Sequence, residues 1–239
     1  MDSSFQAKNF PGTLWTVVLH AGRAEPAQAQ AALAQLCQAY WYPLYSFIRR
    51  RGYTPHDAED LTQAFFTHLL EKRGLGRIDP QQGRFRTFLL ASLKNFLAND
   101  YDRGQALKRG GGQTIVSLDE DRAEARYQRE PSHDLTPDRH FERQWALTVL
   151  DQVLAALQVE YHAKGQGDLF EELKAVLIGR AGSYADMATR LGRSEGAIKV
   201  AIHRLRQRYR ELLRAQIAAT VGEGDVEDEL RHLLTVLSG

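Results

Sequence analysis

The chain has 239 residues, of which 43% are hydrophobic and 26% are charged, a balance typical of globular proteins rather than of disordered or membrane-embedded chains. Its formal net charge is +1, so the overall charge does not by itself indicate a nucleic-acid partner. No apolar run is long enough to span a bilayer and no signal-like segment opens the chain, so we expect a cytoplasmic protein without membrane insertion.

Charge is nevertheless unevenly distributed along the chain. Residues 84–109 contain six Arg or Lys and two acids, and residues 193–214 contain seven Arg or Lys and two acids. Between them, residues 119–142 contain eight acids and four bases. Two basic segments separated by an acidic one form a pattern that the net charge conceals, and each basic segment is a candidate for contact with nucleic acid.

Apolar residues recur at spacings of three and four, which predicts an all-α fold of two helical domains joined by a flexible linker. In the first domain we expect helices over about 26–51, 54–72 and 84–103, followed by a polar, glycine-containing connector. The predicted organisation is an N-terminal extension (1–25), a first helical domain (26–104), a linker (105–136), a second helical domain (137–220) and a C-terminal amphipathic helix (221–239).

The second and third predicted helices have polar faces of different character. Thr54 and Pro55 form a helix start, and the acids that follow lie near the positive end of the helix dipole. The third helix combines a broad apolar face with basic and amide side chains on the other side. Taken alone, this third helix is equally well explained as an ordinary amphipathic helix.

Residues 184–209 have the pattern of a helix-turn-helix. Ala188 is small where two helices would touch, Gly192 suits a turn with positive φ, and Ser194 is a suitable N-cap for the second helix. Along that helix Lys199 lies on the same basic face as His203, Arg206 and Arg210. We expect its N-terminal residues to approach base edges in a major groove and its later arginines to hold phosphates. A solvated basic helix, or one that binds an acidic partner, is the alternative.

Two motifs resemble those of the extracytoplasmic-function (ECF) sigma factors of the sigma-70 family of RNA polymerase. The segment Asp57-Ala-Glu-Asp-Leu-Thr-Gln-Ala-Phe-Phe is similar to their DAED-L-x-Q-x-x-F signature, and Leu191 to Lys199 is similar to their L-G-x-S/P-E-G-x-(V/I)-K helix-turn-helix motif. The similarity covers residues 26–104 and 140–217, in the family's order. It implies a sigma factor that binds core RNA polymerase and recognises minus-ten and minus-thirty-five promoter DNA.

The resemblance also implies roles for individual residues. The polymerase largest-subunit clamp would be contacted by Asp57, Glu59, Asp60, Gln63 and Phe66. The minus-ten element would be contacted by Arg86, Phe88, Lys94, Asn95, Asn99 and Arg103. The minus-thirty-five element would be contacted by Ser194, Glu195, Lys199, His203, Arg204 and Arg206. An anti-sigma factor is a further candidate partner.

The sequence departs from the family pattern at three points. Phe88 stands where the family usually has Trp, and Asn99 stands where it usually has Asp, so contacts with the minus-ten element are expected to differ. In the second motif Ala197-Ile198-Lys199-Val200-Ala201 replaces a common T-V-K-S-R sequence, which removes an Arg from the expected base contacts.

No motif for catalysis, for a cofactor or for a metal ion is present, and we expect a protein that is not an enzyme. The single cysteine, Cys37, shares an apolar helical stripe with Leu33 and Leu36, which favours core packing over reactivity. A stand-alone helix-turn-helix regulator with an N-terminal sensing or dimerisation domain is the rival function.

The C-terminal segment aligns Val226, Leu230, Leu233, Leu234 and Leu237 as one apolar stripe that has to be buried somewhere. Structural packing is one explanation. The other is an acidic helix that folds against a DNA-reading domain and restrains it until polymerase or a partner displaces it.

Overall fold

The computed structural model describes residues 26–71, 84–103, 120–130, 135–180, 182–221 and 226–238. Within these ranges every element is a helix, which confirms the predicted all-α fold for the described part of the chain. The nine helices found there are α1 (Pro26–Arg50), α2 (Pro55–Glu71), α3 (Phe85–Arg103), α4 (Glu120–Arg129), α5 (Pro137–Ala163), α6 (Gly167–Leu177), α7 (Tyr184–Leu191), α8 (Glu195–Ala218) and α9 (Val226–Ser238).

The chain divides into two compact units. Unit 1 consists of Met1–Thr148 and Ala218–Gly239, and unit 2 consists of Val149–Ile217. The boundary between Thr148 and Val149 falls inside α5. The domain bounds expected from the sequence, 26–104 and 137–220, stay a prediction. The C-terminal residues return to the unit that contains α1 to α4.

The core of unit 1 is rich in aromatic side chains, because α1 carries them at helical spacing on a buried face. Tyr40 meets the ring of Phe85 from α3 edge to face, with the ring centroids 5.4 Å apart. The ring of Phe65 from α2 meets Phe96 of α3 at 5.6 Å in the same way. Further buried residues of this core are Trp41, Leu44, Phe47, Ile48, Leu89, Leu93, Leu97, Phe141 and Trp145.

Helix α4 lies in the segment that the sequence predicts to be linker. An ion pair with α1 accounts for its position, since Glu124 accepts hydrogen bonds from Nε and Nη2 of Arg49 at 3.0 and 2.9 Å. The hydroxyl of Tyr45 donates a third hydrogen bond to Glu124 at 2.6 Å. The Arg49 guanidinium lowers the pKa of the Glu124 carboxyl, which therefore stays charged. The sequence does not predict α4, because the helix is strongly polar and is attached by polar partners rather than by an apolar stripe.

The core of unit 2 is formed by four helices. Leu157 of α5, Phe170 of α6, Met187 of α7 and Ile202 of α8 are all buried in one cluster. Packing against α5 and α6 thereby fixes the position of the α7–α8 pair. The residues of α7 and α8 outside this core face solvent.

Cys37 is 2% exposed, as its place on an apolar stripe predicts, and burial raises the pKa of its thiol to about 12. Because the thiolate is the reactive form, we expect Cys37 to resist alkylation by a maleimide in the folded protein and to react completely in urea. Mass spectrometry of the two samples measures this. Rapid labelling of the native chain would contradict the buried position.

Among the residues that the structure describes, none of the helices combines the length and the hydropathy that a bilayer crossing requires. The same residues contain no group of three or more His, Cys, Asp or Glu side chains placed to hold a metal ion.

Candidate functional site

The N-terminal half of α2 presents two carboxylates to solvent. Thr54 caps this helix, since its Oγ1 accepts the backbone N–H of Asp57 at 3.2 Å. The same hydroxyl donates to Oδ2 of Asp57 at 2.6 Å. Asp57 and Asp60 are both exposed, and Asp60 approaches the His56 ring nitrogen at 3.7 Å. The cap fixes the start of the helix, and the two acids occupy its outer face.

The other three residues predicted to contact polymerase are less accessible. Glu59 is buried and accepts a hydrogen bond at 3.0 Å from Nε2 of Gln63, which is itself half-buried. Phe66 is 2% exposed, and its ring lies against that of Phe65 in the core of unit 1. A partner that docks on this helix therefore meets Asp57 and Asp60 first, while Phe66 supports the helix from inside.

Helix α3 presents amide side chains to solvent. Asn95 and Asn99 are exposed, and Phe88 is half-buried with its ring 6.2 Å from that of Phe85. Lys94 is partly exposed and forms an ion pair with Asp138 of α5. The side chain of Arg103, at the end of α3, lies outside the described residues. The candidate minus-ten residues that are at least partly accessible on the surface of α3 are thus Phe88, Lys94, Asn95 and Asn99.

Arg86 does not lie on that surface. It is 2% exposed, its Nε donates to Glu142 of α5 at 2.6 Å, and its guanidinium also forms an ion pair with Glu229 of α9. The guanidinium lies 4.5 Å from the centroid of the Trp145 ring. Burial lowers the pKa of Arg86 and the Glu142 carboxylate opposes that shift. Contact with DNA would require these ion pairs to break, so we assign Arg86 a structural role.

The cluster around Arg86 extends to two more side chains. Nε of Arg84 lies 3.0 Å from Oε2 of Glu229, and the ring of His232 lies 3.0 Å from Oε2 of Glu142. Glu229 is 1% exposed. Two arginines and two glutamates thus balance one another inside unit 1 and attach α9 to α3.

The pairing partner of Arg86 was missed by the sequence reasoning. A signal was available, because Glu229 stands three residues after Val226 and four before Leu233, inside the apolar stripe of α9. An acid at such a position predicts a buried cation opposite it.

The α7–α8 pair has the caps and the turn that the sequence predicts. Gly192 has φ +60° and ψ +36°, and its N–H bonds to the carbonyls of Ala188 and Thr189. The hydroxyl of Ser194 accepts the N–H of Ala197 at 3.2 Å and so caps α8. Helix α8 therefore leaves the turn at a defined angle.

One face of α8 is buried and the other is basic. Ile198, Ile202 and Leu205 are buried in the core of unit 2. All six residues predicted to contact the minus-thirty-five element are exposed, namely Ser194, Glu195, Lys199, His203, Arg204 and Arg206. The helical spacing of Lys199, His203 and Arg206 places these side chains next to one another.

Gly192 is expected to be sensitive to substitution, because an L-residue with a side chain is strained at its positive φ although no atom lies within 4 Å of an added Cβ. We expect Gly192→Ala to lower the free energy of unfolding by about 1 kcal/mol. The matched control is Gly196→Ala inside α8, where an added Cβ would lie 4.0 Å from Ser194 Oγ. Urea unfolding should show a loss for the first variant only, and equal losses would contradict the turn geometry.

Comparison with known families concerns the part of the chain that contains α2 and α3. Residues 36–106 match the family model described as Sigma-70 region 2, a stretch that begins in α1, contains α2 and reaches the end of α3. No curated protein and no solved structure gives a significant match to the chain. The match to region 2 supports a sigma-70 family member with a role in transcription initiation.

Proposed function

We propose that this chain is a sigma factor of the ECF type, which binds core RNA polymerase in the cytoplasm and directs initiation at specific promoters. The observation that carries the proposal is the match of residues 36–106 to Sigma-70 region 2, because this stretch includes the exposed acids of α2. Sequence resemblance to the family in residues 191–199 supports the same function from the other end of the chain.

Docking to the largest-subunit clamp is assigned to the outer face of α2. Asp57 and Asp60 are accessible for ion pairs with a basic partner, and Gln63 is half-exposed one turn later. Glu59 orients Gln63 through their hydrogen bond, and Phe66 anchors the helix in the core. Glu59 and Phe66 therefore contribute by holding Gln63 and α2 in position.

Capture of the minus-ten strand is assigned to α3. Single-stranded DNA is held by aromatic stacking and by cations along the backbone. Phe88 offers a partly accessible ring, Asn95 and Asn99 offer hydrogen bonds to bases, and Lys94 offers a charge once its ion pair with Asp138 opens. Arg103 at the end of α3 remains in this proposed set on the resemblance alone.

Anchoring on the minus-thirty-five duplex is assigned to the exposed face of α8. The N-terminal turns of such a helix enter the major groove, and the residues farther along contact phosphates. Lys199, His203 and Arg206 form the basic row, while Ser194 and Glu195 lie at the end that approaches the bases. Arg204 flanks the row.

Reconstituted transcription tests the proposal. Purified core polymerase should gain promoter-specific initiation when the chain is added, and mapping of the transcript starts defines the promoter. A chain that binds duplex DNA tightly as a dimer, and neither associates with core polymerase nor supports initiation, would instead be a stand-alone regulator.

A further inference from the structure

A branched apolar side chain stands exposed beside the basic row of α8. Val200 is 50% exposed and follows Lys199 directly, in the second turn of the helix. It lines an open depression of about 330 Å³ together with Gly196, Ala197 and Arg204, and the opposite wall is formed by Tyr161 of α5 and Leu169 of α6. Since α8 buries Ile198 and Ile202 on its other face, Val200 has no role in the core of unit 2.

The depression has a polarity that favours one kind of occupant. Arg193 and Arg204 line it and are both exposed, so an anionic partner is attracted to this face. Gly196 has no side chain and Ala197 has only a methyl group, which lets a partner approach the backbone of the first turn. Val200 then supplies an apolar contact that neither donates nor accepts a hydrogen bond.

Duplex DNA combines these features. Its phosphates are anionic, and the edge of thymine in the major groove carries a methyl group that apolar side chains contact specifically. A small ligand fits less well, because pockets for small molecules enclose most of their ligand and the depression is open.

We propose that Val200 is a specificity-determining residue, which contacts a thymine methyl group in the upstream duplex element that α8 reads. The proposal rests on the proposed function. It further states which base this chain prefers at one position of the upstream element.

Removal of a single methyl group from the DNA tests the proposal. The promoter is first selected from a random upstream duplex with the reconstituted holoenzyme, and each thymine of the selected element is then replaced in turn by deoxyuridine. One such replacement should weaken holoenzyme binding roughly fourfold, the factor expected for the loss of one buried methyl group. In Val200→Ala holoenzyme the same replacement should have little effect.

Val159→Ala is the matched control, since Val159 is a 68% exposed valine of unit 2 on α5. The control holoenzyme should keep the full response to deoxyuridine. Equal binding of thymine and deoxyuridine duplexes by wild-type holoenzyme would overturn the thymine contact, and so would a response that Val200→Ala leaves unchanged. Either result leaves promoter-specific initiation intact, whereas failure of the proposed function abolishes initiation with every template.

Discussion

Replacing Glu229 with glutamine is expected to lower the free energy of unfolding by about 3 kcal/mol, the cost of removing one carboxylate partner from a buried charge. Glu229 is 1% exposed and forms ion pairs with Arg84 and Arg86. Arginine does not lose its proton in a folded protein, so Arg86 stays charged and keeps only Glu142. Urea unfolding followed by circular dichroism measures the change.

Asp228→Asn is the matched control for this variant. Asp228 precedes Glu229 on α9, is exposed, and forms an ion pair with Arg231 one turn later. Removing its charge should change the free energy of unfolding by less than about 1 kcal/mol, because exposed pairs contribute little. If both variants unfold at the same urea concentration as wild type, the cluster around Arg86 does not hold α9 in place.

The size of this effect also helps to decide whether α9 is a structural part of unit 1 or a helix that a partner displaces. Release of α9 by a partner would take Glu229 away from Arg86, whose guanidinium is buried over Trp145. The partner would have to supply the several kcal/mol that such a separation costs. The geometry therefore favours α9 as a permanent part of unit 1, and the restraining role remains a hypothesis.

The helices and their caps could be predicted from sequence because local chemistry determines them. Gly192 and Ser194 form the turn and the cap through contacts within four residues, and Thr54 caps α2 in the same way. The apolar face of α1 likewise follows from its spacing alone.

Contacts between distant parts of the chain could not be predicted in this way. Arg86 and Glu229 are separated by more than a hundred residues, and the sequence shows a basic residue on α3 without showing that it is paired. Phe66 matches the family signature, yet the signature does not distinguish a residue that touches polymerase from one that supports the touching surface. Helix α4 was missed because its partner, Arg49, lies on α1.

Neutralising the two exposed acids of α2 is expected to have the largest effect on function. Asp57→Asn combined with Asp60→Asn should weaken binding to core polymerase about tenfold or more, because charged groups at a docking surface govern both association and register. Both side chains are exposed, so the loss of unfolding free energy should stay near 1 kcal/mol, mainly from the helix dipole. Fluorescence anisotropy of the labelled chain with core polymerase measures the affinity.

The double variant Asp168→Asn with Asp186→Asn separates docking from general charge effects. These two acids lie in the first turns of α6 and α7, so their loss removes the same charge, and at least as large a helix-dipole contribution, from unit 2. The control should bind core polymerase with wild-type affinity. Equal weakening in both double variants would show that net charge drives association, and unchanged binding in the α2 variant would remove Asp57 and Asp60 from the docking surface. Loss confined to the α2 variant, with the folded state intact, would place polymerase contact on the outer face of this helix.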